Sequence, residues 1–544
     1  MPDRIKLKID GLDVEVDRGT SVIEAARTAG VMPPHYCYHP GLTVAGNCRM
    51  CLVEIEKMPK LVTSCTTQAA EGMIVHTRSD KVKKGVAGVE EFLLANHPLD
   101  CPICDQAGEC RLQQYSFSYG NADSRFREQR MQFKKGVDVG PHVVLDSERC
   151  IMCTRCVRFC DEITKTSELG VFQRGIRNEI GIFPGRDLAN DYSGNVVDLC
   201  PVGALTLREF RFRKRVWFIK DVPSVCGGCA AGCNVNAGTS ENRIWRLTPR
   251  ENAAVNGWWM CDEGRLSYTS LDTVPRLANP EARSGSGFSP LRLPEAVASI
   301  AESLNGAGAA SGIIASANLT LEDFWLVKRL VSEVCPQMRV VVPERARGKD
   351  DGFLIRADRT ANRRGAAFLG FEVDAGSAAS RSLLVDVAAG KITTLVVLGD
   401  DVTTLPGWEA AFAALGKGGR LIVMDPFLTG AAAAATLRIP SAAYGEFEGT
   451  WVNASGRAQR VRRATTPRAS AVPYWEILSL VAWKLGATAS YENAAAILRE
   501  AAAKTPALSG LTWSALGAGG MRIGADGDDA APKGLPASAE GARA

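Results

Sequence analysis

The sequence lacks any apolar run of about 18 residues, the length that a membrane-spanning helix requires. It also lacks a charge excess, because 64 Lys and Arg face 60 Asp and Glu, and this balance favours neither nucleic acid nor an anionic membrane as a partner. Residues 1–20 contain no apolar signal-peptide core. We therefore expect a chain that stays in the reducing cytosol, does not cross the bilayer and does not bind nucleic acid.

Motifs for nucleotide cofactors are missing as well. No G-x-G-x-x-G follows a strand pattern and no Walker loop is present. The chain therefore shows no site for FMN or NAD and no sign that it can accept a hydride itself. We expect no catalytic residue and no complete substrate site in this chain alone.

Cysteine is abundant, but only in the first half. Sixteen of the 17 cysteines lie at or before Cys261, only Cys335 follows, and all five histidines lie within the first 142 residues. In a large cytosolic chain such density indicates metal binding rather than disulfides. With 544 residues, enough for three or four domains, a metal-rich half precedes a half with almost no soft ligands.

The first ligand set follows a hairpin and a helix. Alternating apolar residues in 5–16 predict the hairpin, and Ser21 with Glu24 predicts a capping box for a helix over 22–29 that Gly30 ends. This order is typical of a β-grasp ferredoxin domain, whose [2Fe–2S] cluster takes four thiolates. The thiolates of this first set are Cys37, Cys48, Cys51 and Cys65.

Two alternatives exist for this set. Zinc also binds four cysteines. A Rieske centre would need C-x2-H in its second half, where the chain has Cys48-x2-Cys51. We interpret His35 and His39 as ordinary loop histidines.

The second set includes a histidine. A helical pattern over 86–96 ends before Pro98, which leaves His97 at the helix end, four residues before a C-x2-C-x5-C run that lacks a fourth ligand. We predict a [4Fe–4S] site, in which imidazole replaces one thiolate and tends to raise the potential. Its ligands are His97, Cys101, Cys104 and Cys110.

The third set is a half-complete bacterial ferredoxin pattern. CIMCTRCVRFC matches C-x2-C-x2-C-x3-C, but the only nearby Cys-Pro is Cys200-Pro201, so one [4Fe–4S] site is complete and the other is missing. We interpret Cys160 as a buried, inert leftover. The ligands of the third set are Cys150, Cys153, Cys156 and Cys200.

The fourth set again supplies four thiolates, spaced C-x2-C-x3-C-x27-C. Zinc fits this set in isolation, whereas three neighbouring iron–sulfur patterns favour a [4Fe–4S] cluster. The basic segment 208–215 that precedes it is interpreted as one solvated face. The ligands of the fourth set are Cys226, Cys229, Cys233 and Cys261.

The second half has an α/β pattern. Segments 391–401 and 419–427 indicate buried strands of a mostly parallel sheet, and Cys335 is expected within a helix that packs in the core. Asp400, Asp401 and Asp425 end strands and are expected to be solvated loop carboxylates. The predicted domains are 1–80 ([2Fe–2S]), 81–135 ([4Fe–4S] with one histidine and three cysteines), 136–215 ([4Fe–4S] ferredoxin-like), 216–270 ([4Fe–4S] with four cysteines), 271–520 (α/β) and a disordered tail, 521–544.

The order and spacing of the four sets resemble the large iron–sulfur subunit of respiratory complex I, NADH–quinone oxidoreductase, over residues 1 to about 265. HPLDCPICDQAGEC (97–110) and RCVRFCDE (155–162) are especially similar to that family. FEGTWVNASGRAQR (447–460) resembles, more weakly, the molybdopterin oxidoreductases. The resemblance implies a multidomain α+β and α/β chain whose second half is a shortened molybdopterin-oxidoreductase-like relic without molybdenum.

The resemblance also implies a function and partners. Electrons from NADH would pass through FMN in a partner to the first set, then to the third and second sets and on towards quinone, while other subunits pump ions. The implied cofactors are one [2Fe–2S] and three [4Fe–4S] clusters. The implied partners are the FMN/NADH-binding subunit, the small [2Fe–2S] subunit, the quinone-module subunits and, indirectly, the membrane arm, on the cytoplasmic side of the bacterial inner membrane.

Two other classes of protein share some of these features. An NAD-linked formate dehydrogenase or an iron hydrogenase shares the first two sets, but typically keeps both ferredoxin clusters and carries further metal ligands in its second half. A structural protein, in which residues 270–544 serve as a docking surface, is compatible with the electron-relay interpretation.

Overall fold

The computed structural model describes residues 3–345, 348–374, 378–488 and 490–524. The chain divides into two compact units, one ending at Ile219 and the other beginning at Lys220. Within the described ranges, every helix is too short or too polar to cross a membrane.

The first unit begins with a β-grasp sheet. Its elements are β1 (Arg4–Ile9), β2 (Leu12–Asp17), α1 (Val22–Thr28), β3 (Leu52–Ile55), β4 (Val62–Thr63) and β5 (Ile74–His76). The strand order is β2-β1-β5-β3-β4, and the central pair β1–β5 is parallel. Asp10 and Gly11 both have positive φ, as a tight turn between twisted strands requires, which explains the predicted hairpin. Ser21 caps α1 at the amide of Glu24, as predicted.

The remainder of the first unit has short elements joined by the cysteine loops. They are α2 (Asp80–Asn96), α3 (Arg111–Tyr119), β6 (Val137–Asp138), β7 (Val143–Leu145), α4 (Arg155–Arg158), β8 (Leu169–Phe172), β9 (Glu179–Ile182), α5 (Asn195–Leu199) and β10 (Leu205–Leu207). A π-helix, Phe159–Thr164, continues α4. Strands β10, β7 and β6 form one small sheet, and β8 and β9 form a hairpin.

The second unit opens with a three-stranded meander and two short helices. These are β11 (Lys220–Val225), β12 (Asn234–Ser240), β13 (Arg243–Pro249), α6 (Asp262–Leu266) and α7 (Ser270–Thr273). The loop between β11 and β12 carries three cysteines, and the fourth, Cys261, caps α6 by accepting from the amide of Gly264.

An eight-stranded sheet dominates the rest of the second unit. Its order is β15-β14-β21-β20-β19-β16-β17-β18, parallel from β21 to β18. The elements are β14 (Glu281–Ser284), β15 (Gly287–Pro290), α8 (Leu293–Ala307), β16 (Ser311–Ala315), α9 (Leu321–Glu333), β17 (Arg339–Pro343), α10 (Arg363–Phe368), β18 (Val373–Asp374), α11 (Ala378–Ala388), β19 (Thr394–Leu398), α12 (Trp408–Leu415), β20 (Arg420–Asp425), α13 (Gly430–Ala434), β21 (Leu437–Pro440), β22 (Gly449–Val452), β23 (Arg457–Val461), α14 (Tyr474–Lys484), α15 (Ala494–Lys504), α16 (Trp513–Leu516) and β24 (Met521–Arg522).

This sheet is buried on both faces. Neighbouring residues of one strand, such as Ile313 and Ile314, pack into different hydrophobic clusters on opposite sides. Parallel strands covered on both faces have continuous apolar sequences, which is why 391–401 and 419–427 predicted β19 and β20.

Three expectations for this half are corrected. Asp400 and Asp425 are buried rather than solvated, and burial raises the pKa of Asp425 to about 7. Cys335 does pack in the core, but it lies after the end of α9. Met521–Arg522 form β24 against β23, so the predicted tail does not begin at residue 521, and its remainder, 525–544, lies outside the described residues.

Candidate metal centres

The first set forms two adjacent thiol pairs next to the β-grasp sheet. Cys51 immediately precedes β3 and Cys65 follows β4, and the two Sγ atoms are 3.3 Å apart. The amide of Cys37 donates to Sγ of Cys48 at 3.4 Å. The hydrogen bond within each pair lowers the pKa of one thiol, Cys37 or Cys51, and raises that of its partner, Cys48 or Cys65. The thiolate is the form that binds iron, so cluster binding would displace the proton that each pair shares.

The two histidines near this set have protein partners. Nδ1 of His35 lies 2.9 Å from the carbonyl of Pro33, and Nε2 lies 2.8 Å from Nη1 of Arg111. Nδ1 of His39 accepts from the amide of Gly41 at 3.1 Å. Both nitrogens of His35 are therefore engaged, and neither is available to a metal ion.

The second set is formed around two helix ends. The chain leaves the helical conformation at His97, the C-cap of α2, and Cys110 is the N-cap of α3. Arg130 donates from Nη1 to the carbonyl of His97 at 2.7 Å. Burial lowers the pKa of His97 to about 4, so its imidazole is neutral, which is the ligating form. Cys101 is exposed, whereas Cys104 is buried.

Two residues that follow the third set in the sequence, Gly203 and Arg215, contact Cys104. A Cβ added to Gly203 would lie 2.2 Å from Sγ of Cys104, so only glycine fits there. Arg215 donates to the carbonyls of Cys104, at 2.7 Å, and Pro102. The expectation that segment 208–215 forms one solvated face is therefore wrong. Arg215 points into the loop of the second set and Phe210 is buried.

The third set surrounds one cavity. All four sulfur residues line it, and apolar side chains that include Leu145, Ile180 and Val202 complete the wall. Desolvation by burial raises the pKa of all four thiols, that of Cys153 to about 11. Cys160 is fully buried in the π-helix and is not part of this cavity wall, in agreement with its interpretation as an inert residue.

The fourth set surrounds a second cavity, in the other unit. Cys226, Cys229, Cys233 and Cys261 all line it, and the amides of Gly228 and Gly264 lie 3.5 and 3.3 Å from the sulfurs of Cys226 and Cys261. A Cβ at position 264 would come within 3.0 Å of Sγ of Cys226. The backbone is thus held close to the sulfurs, and it donates hydrogen bonds to them.

The chemistry of these donor sets fits iron–sulfur clusters. In the third and fourth sets, four soft sulfur ligands converge on a mostly apolar cavity, where burial disfavours thiolates unless a cation compensates them. A site for a single metal ion has a different geometry from a cluster site. Within the described ranges, no three His, Cys, Asp or Glu side chains form a group that could hold one metal ion.

Hydrogen bonds join the first set to the third. Asn47, next to Cys48, donates from Nδ2 to the carbonyl of Met152 at 3.3 Å, and Met152 precedes Cys153. Arg158, on α4, donates to the carbonyl of Cys37. The two cysteine loops are therefore in direct contact.

A backbone hydrogen bond joins the second set to the third. The amide of Arg111, next to Cys110, donates to the carbonyl of Pro201, next to Cys200, at 3.0 Å. The first and second sets are in contact as well, because Nε2 of His35 lies 2.8 Å from Nη1 of Arg111, so the three cysteine loops of this unit all adjoin one another.

Family models match five consecutive parts of the chain. They are a 2Fe-2S iron-sulfur cluster binding domain (2–80), the NADH-ubiquinone oxidoreductase-G iron-sulfur binding region (87–125), the ferredoxin-like domain of NADH-quinone oxidoreductase subunit 3 (140–206), the molybdopterin oxidoreductase Fe4S4 domain (219–272) and molybdopterin oxidoreductase (357–484).

Full-length relatives agree with these matches. The chain is 41% identical over 336 residues to the mitochondrial NADH-ubiquinone oxidoreductase 78 kDa subunit of Candida albicans, which covers 61% of this chain and 46% of that protein. It is 40% identical over 331 residues to the G subunit of NADH-quinone oxidoreductase from Rickettsia felis, which covers 61% and 49%. The chain is thus similar to the G subunits of NADH–quinone oxidoreductase. It spans about half the length of the curated relatives that it matches.

The family-model matches confirm the predicted fold class and the presence of 2Fe-2S and 4Fe-4S binding domains. Solved structures add little to this. An NAD+-reducing [NiFe]-hydrogenase in the H2-reduced state is 28% identical, covers 39% of this chain and 91% of the hydrogenase chain, and has a TM-score of 0.34. The acetylene hydratase of Pelobacter acetylenicus is 10% identical, covers 59% and 76%, and has a TM-score of 0.39. Both scores are too low to establish a common overall fold.

Proposed function

We propose that this chain is an electron-relay subunit in the peripheral arm of complex I. The observation that carries the proposal is the pair of contacts that connects the first set to the third, through Asn47 and Met152, and the third to the second, through Arg111 and Pro201. Electron transfer between clusters is faster at shorter separations, and these contacts hold the cysteine loops side by side. Similarity to G subunits of NADH–quinone oxidoreductase supports the same conclusion.

The bound groups would be one [2Fe–2S] cluster in the first set and one [4Fe–4S] cluster in each of the other three. When bound, they accept and release single electrons, which makes the chain a route from an FMN/NADH-binding partner towards the quinone module. The ligands are Cys37, Cys48, Cys51 and Cys65; His97, Cys101, Cys104 and Cys110; Cys150, Cys153, Cys156 and Cys200; and Cys226, Cys229, Cys233 and Cys261.

The protein's own contribution is to hold the ligands and keep water out. Arg130 and Arg215 fix the loop carbonyls of the second set, and apolar side chains close the cavity of the third. Neutral His97 supplies one ligand without adding negative charge. These features stabilise the site in both oxidation states with little rearrangement.

Residues 271–520 would act as a relic domain without molybdenum that serves to dock neighbouring subunits. The only cysteine of this region, Cys335, is buried in the hydrophobic core, away from any surface where a cofactor could bind to it. In this assembly the chain would lie on the cytoplasmic side of the inner membrane, in contact with the FMN/NADH-binding, small [2Fe–2S] and quinone-module subunits, while the membrane arm pumps ions.

Elemental analysis of the purified complex tests the proposal. One [2Fe–2S] and three [4Fe–4S] clusters predict about 14 irons in this chain and no molybdenum. Because partner subunits also carry iron, the measurement is made as a difference between variants. Cys153→Ser should remove up to about four irons per complex, whereas the matched control Cys160→Ser, at a buried cysteine seven residues further along the chain, should remove none.

Other outcomes would contradict this function. Stoichiometric molybdenum or tungsten would make the second half an active site. Zinc in place of iron at the first or fourth set would break the proposed relay.

A further inference from the structure

A buried carboxylate accepts a hydrogen bond from the residue that precedes Cys37, the first ligand of the first set. Glu90, on α2, is completely buried. Its Oε2 accepts a hydrogen bond from the hydroxyl of Tyr36 at 2.8 Å, and Tyr36 immediately precedes Cys37. Its other oxygen, Oε1, has no hydrogen-bond partner in the described part of the chain. The relay as described above gives this carboxylate no role.

Among the described residues, α3 and β3 are the elements that pack most closely against α2, and neither presents a cation to Glu90. From α3, Tyr115 contacts the ring of Tyr36 edge-on at 5.4 Å, and Arg111 is turned to His35. From β3, Glu54 pairs with Lys81 in the first turn of α2.

The neighbouring acid on the same helix is in the opposite situation. Glu91 pairs with Arg125 at the surface, and this pairing lowers its pKa. Burial instead raises the pKa of Glu90 to about 7, against the lowering effect of the Tyr36 hydrogen bond. The charge of Glu91 is thus balanced by a cation, Arg125, whereas Glu90 is in a position to be neutralised by a proton.

An electron arriving at the first set would act directly on this balance. Added negative charge in a poorly solvated interior raises the proton affinity of a nearby carboxylate. Glu90 is linked to Cys37 by the hydrogen bond from Tyr36, the residue that precedes Cys37. Oε1 of Glu90, which has no partner among the described residues, can accept a proton without breaking an existing contact.

We propose that Glu90 binds one proton when the [2Fe–2S] site of the first set is reduced, and releases it on oxidation. The inference rests on the proposed function. The electron comes from a one-electron donor upstream, a reduced flavin in the complex or dithionite in a titration, and the proton comes from solvent. One O–H bond forms at Glu90, and no other bond changes.

The proposal predicts a pH-dependent potential with a defined sign. Below the pKa of Glu90 with the oxidised site, the carboxyl is protonated in both states and the potential does not change with pH. Above that value, reduction brings in a proton, so the potential falls as pH rises, by at most about 59 mV for each tenfold fall in proton concentration. The dependence ends above the pKa of Glu90 with the reduced site.

A redox titration of the purified complex, followed by electron paramagnetic resonance from about pH 6 to about pH 9, tests this. Wild type should show the slope in the [2Fe–2S] signal, and Glu90→Gln should lose it while keeping the signal. The matched control Glu91→Gln, one residue along α2, should keep the slope. The third-set signal serves as an internal reference whose pH dependence should be the same in all three proteins.

Further measurements distinguish a proton-binding role from a structural one. In reduced-minus-oxidised infrared spectra, wild type should gain a protonated-carboxyl band that Glu90→Gln lacks. Tyr36→Phe removes the hydrogen bond that lowers the pKa of Glu90, so it should move the sloping range to higher pH, and it decides the question if Glu90→Gln does not assemble.

The proposal is overturned if wild type shows no slope, if Glu90→Gln keeps it, or if all clusters change alike. Those results would leave the relay intact. Absence of the cluster signals from wild type would instead refute the proposed function.

Discussion

Replacement of Gly203 by alanine is the sharpest test of how the second set is supported. The new Cβ would lie 2.2 Å from Sγ of Cys104 and 3.2 Å from Cβ of Gln106, well inside van der Waals contact. Sγ of Cys104 could escape only by rotating away from the other ligands, since Arg215 fixes the carbonyl of the same residue. Otherwise the backbone at position 203 must move, and it is only three residues from Cys200.

We expect overpacking of this kind to cost about 1–3 kcal/mol of folding free energy. The assay is the iron content together with the paramagnetic signal of the second set. Gly203→Ala should weaken that signal more than it weakens the [2Fe–2S] signal. Gly88→Ala is the matched control, because a Cβ at Gly88, within α2, meets no atom within 4 Å. That change should preserve every signal and add up to about 1 kcal/mol through helix propensity. A Gly203→Ala protein with full iron and unchanged stability would refute the packing argument.

The other predictions concern a loop anchor and a buried acid. Arg215→Ala removes the donors to the carbonyls of Pro102 and Cys104, so we expect a loss of about 1–3 kcal/mol and faster release of iron to a chelator, whereas the exposed Arg213→Ala should behave as wild type. Asp425 has a folded-state pKa of about 7, above its unfolded value, so its ionisation opposes folding as pH rises from about 4 to 7. Asp425→Asn should therefore raise the free energy of unfolding at pH 8 by at most about 4 kcal/mol and leave it unchanged near pH 4. Equal stabilisation at both pH values would contradict this reasoning.

The sequence predicts those parts of the fold that depend on local chemistry. The Asp10–Gly11 turn, the Ser21 cap and the end of α2 before Pro98 follow from residues within a few positions of one another. Cysteine spacing works in the same way, because a loop of two or three residues can direct successive thiols at one cluster. The ligand assignments themselves stay predictions until iron is measured.

What could not be predicted depends on distant parts of the chain. Arg215 is one cation in a basic segment until the fold places two carbonyls from residues 102 and 104 in front of it. Asp425 has the same local sequence context whether its strand end is open or covered, and here it is covered. Glu90 lies in an ordinary helical pattern, and only the packing of Tyr36 against α2 distinguishes it from Glu91.

The contacts between the second and third sets also impose an order on biosynthesis. All the ligands of the second set have been synthesised once Cys110 is made, but Pro201, Gly203 and Arg215, which hold its loop, are synthesised about a hundred residues later. Iron and sulfide delivered before that point would meet a loop without its supports. Loading of the second site is therefore expected only after Arg215 has been made. Because Cys200 also completes the third set, a chain truncated between residues 110 and 200 should lose both sites together.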